Sequence, residues 1–143
     1  MSTATEIVSQ GAGPSSLYVL HVGTNDVQSL RTEDLLEKYR RVIRRYKVKS
    51  NHVIVSGILP RIKARTGFND KAYTVNTELK ELCTNEGVVF TSTWDKFYEQ
   101  PRLFCNDGLH LNTVGSARLG RLLNEAVVNY SKNCLRALGA GTP

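Results

Sequence analysis

The sequence lacks several features that would define a class of protein at once. Its three cysteines, Cys83, Cys105 and Cys134, are odd in number and widely spaced, and they fit neither a disulfide framework nor a zinc signature. No apolar run reaches the length of about 20 residues that crosses a membrane, and the first residues lack the profile of a secretory signal. We therefore predict a soluble, cytoplasmic protein without a membrane span, and we interpret Cys83 as a small core residue.

Acidic residues are in the minority. The 143 residues include 13 Asp and Glu against 19 Lys and Arg, which gives a net charge of +6, and much of the excess lies in residues 38–49 and 61–65. A basic cluster attracts nucleic acid, but on a helix face it is more often a solvated surface. We keep nucleic acid as an alternative partner, and we expect these basic residues to form an ordinary solvated surface.

The order of apolar segments predicts a single α/β domain. Near-continuous apolar runs at 17–22, 52–58 and 88–90 are typical of parallel strands that are covered on both faces. Segments with helical spacing begin at Thr32 and cover 71–85 and 113–131, the last capped by Asn112 or Thr113. This alternation predicts a three-layer α/β/α sandwich with a parallel sheet.

The ends of the chain are predicted to lie outside this domain. We expect residues 1–16 to form a flexible N-terminal remnant in which 6–9 are the end of a helix, because a Gly- and Pro-containing stretch follows. The domain is predicted to cover 17–131, with a disordered tail at 132–143. Within the domain, the basic segment 61–70 is interpreted as a surface loop that overhangs the site.

One candidate site segment pairs a carboxylate with an imidazole. Asp107 precedes His110 by three residues, and in a turn before a helix the two side chains can point the same way. A carboxylate that holds one ring nitrogen leaves the other free as a general base. The structural alternative is a capping Asp beside a surface His, which is common in proteins.

The other candidate segment supplies an amide. Asn25 follows the first predicted strand beside Gly23, where its side-chain N–H can stabilise an oxyanion. The alternative is a simple Asx turn, and His21 within the strand is interpreted as a satisfied core histidine. Because ligands bind at the carboxyl ends of parallel strands, we expect Asn25 and His110 to face each other across one cleft. A metal site at Asp107, His110 and Asn25 would need more ligands than the chain offers.

Taken together, these segments resemble a known family. Residues 22–26 (Val-Gly-Thr-Asn-Asp) resemble the Gly-x-Asn-Asp block of SGNH hydrolases, also called GDSL-like lipase/acylhydrolases, and residues 107–110 (Asp-Gly-Leu-His) resemble their Asp-x-x-His block. Segments 19–26, 55–60 and 101–110 together look most like the esterase-like domains of retroelement-derived open reading frames. The resemblance covers about residues 5–131.

The resemblance implies a fold and an activity. It implies an SGNH, flavodoxin-like fold and hydrolysis of small carboxylic esters by a Ser-His-Asp mechanism without a cofactor. Asn25 and Gly23 match the oxyanion hole, His110 the general base and Asp107 the carboxylate that orients it. The Gly-Asp-Ser block that carries the nucleophile is absent from the chain, so the first strand and the nucleophile turn are expected to be missing.

Two expectations follow from that absence. Activity should be impaired, and a sheet edge should be left open to self-association. Ser56, at the end of the second strand, is the best substitute nucleophile, although no helix begins after it. The alternative function is a non-catalytic interaction domain of retroelement origin that binds RNA or acidic partners through its basic surface.

Overall fold

The computed structural model describes residues 4–8 and 16–140, with side chains for 16–136. The described strands are β1 (Ala4–Val8), β2 (Leu17–Val22), β3 (His52–Ser56) and β4 (Val89–Thr91). The described helices are α1 (Thr32–Lys49), α2 (Phe68–Glu86), α3 (Trp94–Phe97) and α4 (Thr113–Ala140), and short 3-10 turns cover Thr24–Asp26 and Pro101–Leu103. These strands form one sheet in the order β1-β2-β3-β4.

The strands β2, β3 and β4 are parallel, as the alternation of strands and helices predicts. Their register places His21 beside Ser56 and Ser56 beside Thr91. The carboxyl ends of the three strands therefore lie at the same edge of the sheet. The loops that follow β2 and β3 start from this edge, where an open α/β sheet binds its ligands.

Side chains of β2 and β3 alternate between two apolar layers, because successive residues of a strand point to opposite faces. On one face, strand residues pack with α1 and α2: Tyr18, Leu20, Val22, Val53 and Val55 lie in one cluster with Leu35, Tyr39, Ile43, Val75, Leu79 and Cys83. On the other face, Leu17, Val19 and Ile54 pack with Leu119, Leu123, Val127 and Tyr130 of α4. The three-layer α/β/α sandwich is confirmed, and Cys83 is a core residue.

The N-terminal strand corrects one expectation. β1 pairs antiparallel with β2, with Ala4 opposite Val22 and Val8 opposite Tyr18. The interpretation of 6–9 as a helix end is therefore wrong for residues 6–8, and Ser9 lies outside the described residues. The open edge expected next to β2 is occupied, because β1 pairs with the backbone N–H and C=O groups that an edge strand would otherwise leave free.

Two helices are longer than predicted. α4 passes through residue 131 without interruption and continues to Ala140, so the described part of the predicted disordered tail is helical, while 141–143 lie outside the described residues. Residues 132–138 contain no Gly or Pro, and Leu, Ala, Lys and Arg are good helix formers. α2 begins at Phe68, within the predicted loop. No helix in residues 16–140 is both long and apolar enough to span a membrane.

Two asparagines of α2 hold the segment that leaves β3. The side chain of Asn76 accepts a hydrogen bond from Ile58 N at 2.8 Å and donates one to Ile58 O at 2.9 Å. About two turns earlier in α2, the side chain of Asn69 accepts a hydrogen bond from Arg61 N and donates one to Arg61 O, both at 2.9 Å. Each amide replaces the sheet partner that the backbone loses where β3 ends. The path of residues 58–61 is thereby fixed.

We predict that Asn76→Ala destabilises the protein by about 2–4 kcal/mol, because it leaves a buried N–H and a buried C=O of Ile58 unpaired. Urea unfolding followed by circular dichroism measures this difference. The control is Asn85→Ala, an exposed position on the same helix, which should change stability by less than about 0.5 kcal/mol. Equal effects of the two substitutions would contradict the role assigned to Asn76.

Candidate active site

Three segments enclose a cavity of about 330 Å³ at the carboxyl edge of the sheet. Each contributes three lining residues: His21, Thr24 and Asn25 at the end of β2, Leu59, Pro60 and Arg61 after β3, and Leu109, His110 and Leu111 before α4. The structure thus brings Asn25 and His110 to one cleft, as the strand order predicts. Thr24 and Leu109 were not singled out by the sequence, since nothing in their local pattern distinguishes them from ordinary loop residues.

Asp107 uses both of its carboxylate oxygens. Oδ2 lies 2.6 Å from His110 Nδ1, and Oδ1 accepts hydrogen bonds from Leu109 N at 2.8 Å and His110 N at 3.0 Å. The pairing with the imidazole and the capping of the turn are therefore both present, one at each oxygen. The hydrogen bond with the His110 side chain, followed by the two backbone N–H groups, holds the pKa of the Asp107 carboxyl well below its usual range.

The loop that carries His110 is docked on the loop after β3. The carbonyl of Gly108 accepts hydrogen bonds from Ile62 N at 2.8 Å and Lys63 N at 3.1 Å. Gly108 has a φ of +68°, and a Cβ built on it would lie 2.6 Å from Lys63 Cβ. Only glycine accommodates both the left-handed backbone and this close approach. Of the predicted surface loop 61–70, Arg61 lines the cavity, Ile62 and Lys63 contact the loop that carries His110, and residues from Phe68 onward belong to α2.

The turn after β2 presents Asn25. Gly23 has a φ of +96°, and a Cβ at this position would overlap the hydroxyl of Tyr39, which donates a hydrogen bond to Val22 O at 2.7 Å. Gly23 is not among the residues that line the cavity. Asn25 is exposed, and its side-chain amide bonds to no described residue, so no Asx turn uses it. Its N–H groups are free for a ligand.

His21 also faces the cavity. Its Nδ1 lies 3.0 Å from Ser56 Oγ, and burial lowers the pKa of its imidazole. It is therefore a partnered histidine of the sheet that also lines the site. Ser56 has no exposed surface, because its side chain lies against His21 and between neighbouring strands. This arrangement does not support Ser56 as a substitute nucleophile.

Arg61 is a charged residue of the cavity that the sequence placed only in a basic surface loop. Its guanidinium stacks 4.1 Å above the ring of the buried Phe68, and Nη2 lies 3.5 Å from Thr24 O. The sequence held one signal for this placement, since Arg61 follows a predicted parallel strand by a few residues, at the edge of the sheet where ligands bind. Charge alone, however, does not distinguish a cavity residue from its exposed neighbour Arg65.

Among residues 16–136, no group of three or more His, Cys, Asp and Glu side chains is placed to hold a metal ion. The polar groups that line the cavity are the His110 imidazole backed by a carboxylate, the His21 imidazole, the Thr24 hydroxyl, a free amide donor and a guanidinium. An imidazole whose Nδ1 is held by a carboxylate can accept a proton at Nε2. An amide donor across the same cavity can stabilise negative charge on a carbonyl oxygen. These are two of the elements that acyl transfer requires.

Comparison with known proteins agrees with this class of site. The profile of the GDSL-like lipase/acylhydrolase family matches residues 5–118. That range contains both the Asn25 turn and the Asp107–His110 pair. The chain belongs to this family, within the SGNH hydrolase superfamily, and is a hydrolase domain of that type.

A solved structure gives the same result and adds a retroelement connection. The esterase domain of the ZfL2-1 ORF1 protein from the zebrafish ZfL2-1 retrotransposon matches with 33% sequence identity and a TM-score of 0.62. The match covers 75% of this chain and 69% of that chain. The search of curated proteins finds no significant match. The chain is thus similar in sequence and fold to a retrotransposon esterase domain.

We predict that Asp107 contributes to stability in a pH-dependent way. Its folded pKa is depressed, so its contribution is complete above the unfolded pKa of about 3.9 and is lost as the pH falls below that value. The stability difference between the wild type and Asp107→Asn, measured by urea unfolding, should therefore shrink between about pH 5 and pH 2.5.

The control for this prediction is Asp95→Asn, which removes an exposed aspartate of α3. Its difference from the wild type should change less over the same pH interval. A difference for Asp107→Asn that stays constant down to pH 2.5 would show that the hydrogen bonds seen at this carboxylate do not favour its ionised form.

Proposed function

We propose that this domain hydrolyses small carboxylic esters, with His110 as the general base, Asp107 as the residue that orients it, and Asn25 as an oxyanion donor. One observation carries the proposal. Asn25 and His110 line the same cavity, while the Nδ1 atom of His110 is held by Asp107 at 2.6 Å. The comparisons support an ester substrate, because the family and the matching retrotransposon domain are both described by that chemistry.

The proposed reaction gives each of these groups a role. With Nδ1 held by Asp107, His110 takes a proton at Nε2 from the attacking water. The water oxygen bonds to the carbonyl carbon, and the carbonyl electron pair moves to its oxygen, where the Asn25 amide donates a hydrogen bond. The tetrahedral intermediate then collapses. The C–O bond to the alcohol breaks, and the alkoxide leaves with the proton from Nε2.

We infer that this activity is weak in the chain as given. Thr24 carries the one hydroxyl group among the described residues that line the cavity, and Ser56 is buried against His21. A site with a base and an oxyanion donor but no serine retains about 10³–10⁴ of rate acceleration over water. The water-activated route therefore replaces the acyl-enzyme route of a complete Ser-His-Asp site, at a lower rate.

The alternative function as a nucleic-acid-binding domain has no specific observation in its favour. Several arginines of the basic helix α1 are already paired with carboxylates: Arg40 and Arg41 contact Glu37, and Arg44 bonds to Glu86 at 2.8 Å. These pairs reduce the positive charge that the helix offers to a phosphate backbone. RNA binding and a cytoplasmic location stay predictions from the sequence.

We predict that His110→Ala lowers the hydrolysis of 4-nitrophenyl acetate by the purified domain about a hundredfold, because it removes the general base. Asp107→Asn should have a comparable effect. Its oxygen can keep the two backbone hydrogen bonds, but its amide donates to Nδ1 and leaves the proton on Nε2, where it blocks base catalysis.

The matched control is His52→Gln. His52 lies at the opposite end of β3 from Ser56 and bonds to Tyr130 at 2.8 Å, so this variant removes an imidazole away from the cavity. Its activity should equal that of the wild type. Hydrolysis that persists in His110→Ala, or that falls equally in His52→Gln, would show that the turnover does not come from this site.

A further inference from the structure

The proposed site contains a cation that ester hydrolysis by His110 does not use. Arg61 lines the cavity with Asn25 and His110. A guanidinium is always charged in a protein, and its five N–H groups match the oxygens of a carboxylate or a phosphate. Arg61 therefore lies where an anionic group of a ligand bound near the base and the oxyanion donor would reach it.

Within residues 16–136, no carboxylate neutralises Arg61. Four of the eleven arginines in this range form ion pairs with glutamate or aspartate, and Arg61 is the one among the other seven that lines the cavity. The one acceptor that the described residues give its guanidinium is Thr24 O at 3.5 Å, and Nε is buried without a described partner. A half-buried cation without a counter-ion costs free energy, which a bound anion would recover.

The side chain is also held in place. Asn69 clamps the Arg61 backbone with two hydrogen bonds of 2.9 Å, and Phe68 supports the guanidinium from one face. Phe68 and Asn69 are adjacent residues in the first turn of α2, so the helix fixes both contacts. A preorganised donor loses little conformational entropy when it binds a ligand.

The remaining lining residues define the size and charge of the ligand. No carboxylate is among the described residues that line the cavity, and its apolar surface comes from Leu59, Pro60, Leu109 and Leu111. Asp107 does not line the cavity, and its carboxylate makes three hydrogen bonds. A volume of about 330 Å³ is at the lower end for ligand sites and accommodates a short acyl chain.

We propose that Arg61 is a specificity-determining residue that binds an anionic group on the substrate, so that the preferred ester carries a carboxylate or a phosphate a few atoms from its scissile carbonyl. This inference rests on the proposed ester hydrolysis at the same cavity. It goes further in naming the charge of the substrate and the side chain that selects it. The anion bonds to the guanidinium while the carbonyl oxygen approaches Asn25.

The first test measures binding, so that it does not depend on turnover. Glutarate and its neutral analogue glutaramide, and likewise glycerol 3-phosphate and glycerol, are titrated into the domain, and Kd is obtained from NMR shifts of the cavity residues. An anion should bind about tenfold more tightly than its neutral analogue. Preference for glutarate identifies a carboxylate, and preference for glycerol 3-phosphate identifies a phosphate.

Variants assign the preference to one side chain. Arg61→Gln should abolish the tenfold preference. Arg61→Lys should keep part of it, because the charge remains while the planar guanidinium that makes two parallel hydrogen bonds is lost. Arg65→Gln, which removes an exposed cation of the same loop outside the cavity lining, should behave like the wild type. Circular dichroism verifies folding. If Arg61→Gln does not fold, a reduced preference for anions in Arg61→Lys tests the role of Arg61 instead.

The second test compares kcat/KM for the glutarate monoester of 4-nitrophenol with that for 4-nitrophenyl valerate, which has a methyl group in place of the carboxylate. The wild type should prefer the anionic ester about tenfold, and Arg61→Gln should not. If neither ester is cleaved, the proposed hydrolysis fails while the binding test still decides the role of Arg61. Equal Kd values for anions and neutral analogues, or an unchanged preference in Arg61→Gln, would overturn the inference.

Discussion

The site depends on one pair of backbone hydrogen bonds. The carbonyl of Gly108 accepts from the N–H groups of Ile62 and Lys63, and this contact joins the loop before α4 to the loop after β3. Together with the hydrogen bond from Lys63 Nζ to the carbonyl of Asn106, it fixes the segment that carries His110 beside the sheet edge that carries Asn25. Because a side chain at position 108 would collide with Lys63, the contact requires glycine. A close approach of two backbones thus positions the proposed general base.

The charges around the cavity are arranged in two layers. The carboxylate of Asp107 lies outside the cavity lining, where its hydrogen bonds favour its ionised form and orient the His110 imidazole. The side that faces the ligand carries Arg61 and the free amide of Asn25 and no described carboxylate. In the proposed reaction, negative charge on a substrate oxygen meets the guanidinium and the amide donor, and no described carboxylate lines the cavity. Such a preorganised arrangement stabilises an oxyanion without reorganisation during the reaction.

Much of the fold could be predicted from the sequence, because its signals are local. The apolar runs of β2 and β3 and the helical spacing of α1 identify elements that bury one face or both. Of the expectations that failed, the one for residues 6–8 concerns an element that depends on a partner strand, whereas the longer α4 follows from local helix propensity. Residues 6–8 form a strand because the edge of β2 is available, and α4 continues to Ala140 although the chain after residue 131 looked like a tail.

For the site, the chemical groups and their order can be read from the amino-acid sequence: an amide after the first parallel strand, a carboxylate and an imidazole three residues apart, and no Gly-Asp-Ser segment. The folded structure is needed to show that Ser56 is buried against His21 and that Arg61, rather than the neighbouring Arg65, lines the cavity. Residue type and spacing set what a side chain can do. Burial and the direction of a side chain arise from contacts between segments far apart in the chain, which local patterns do not encode.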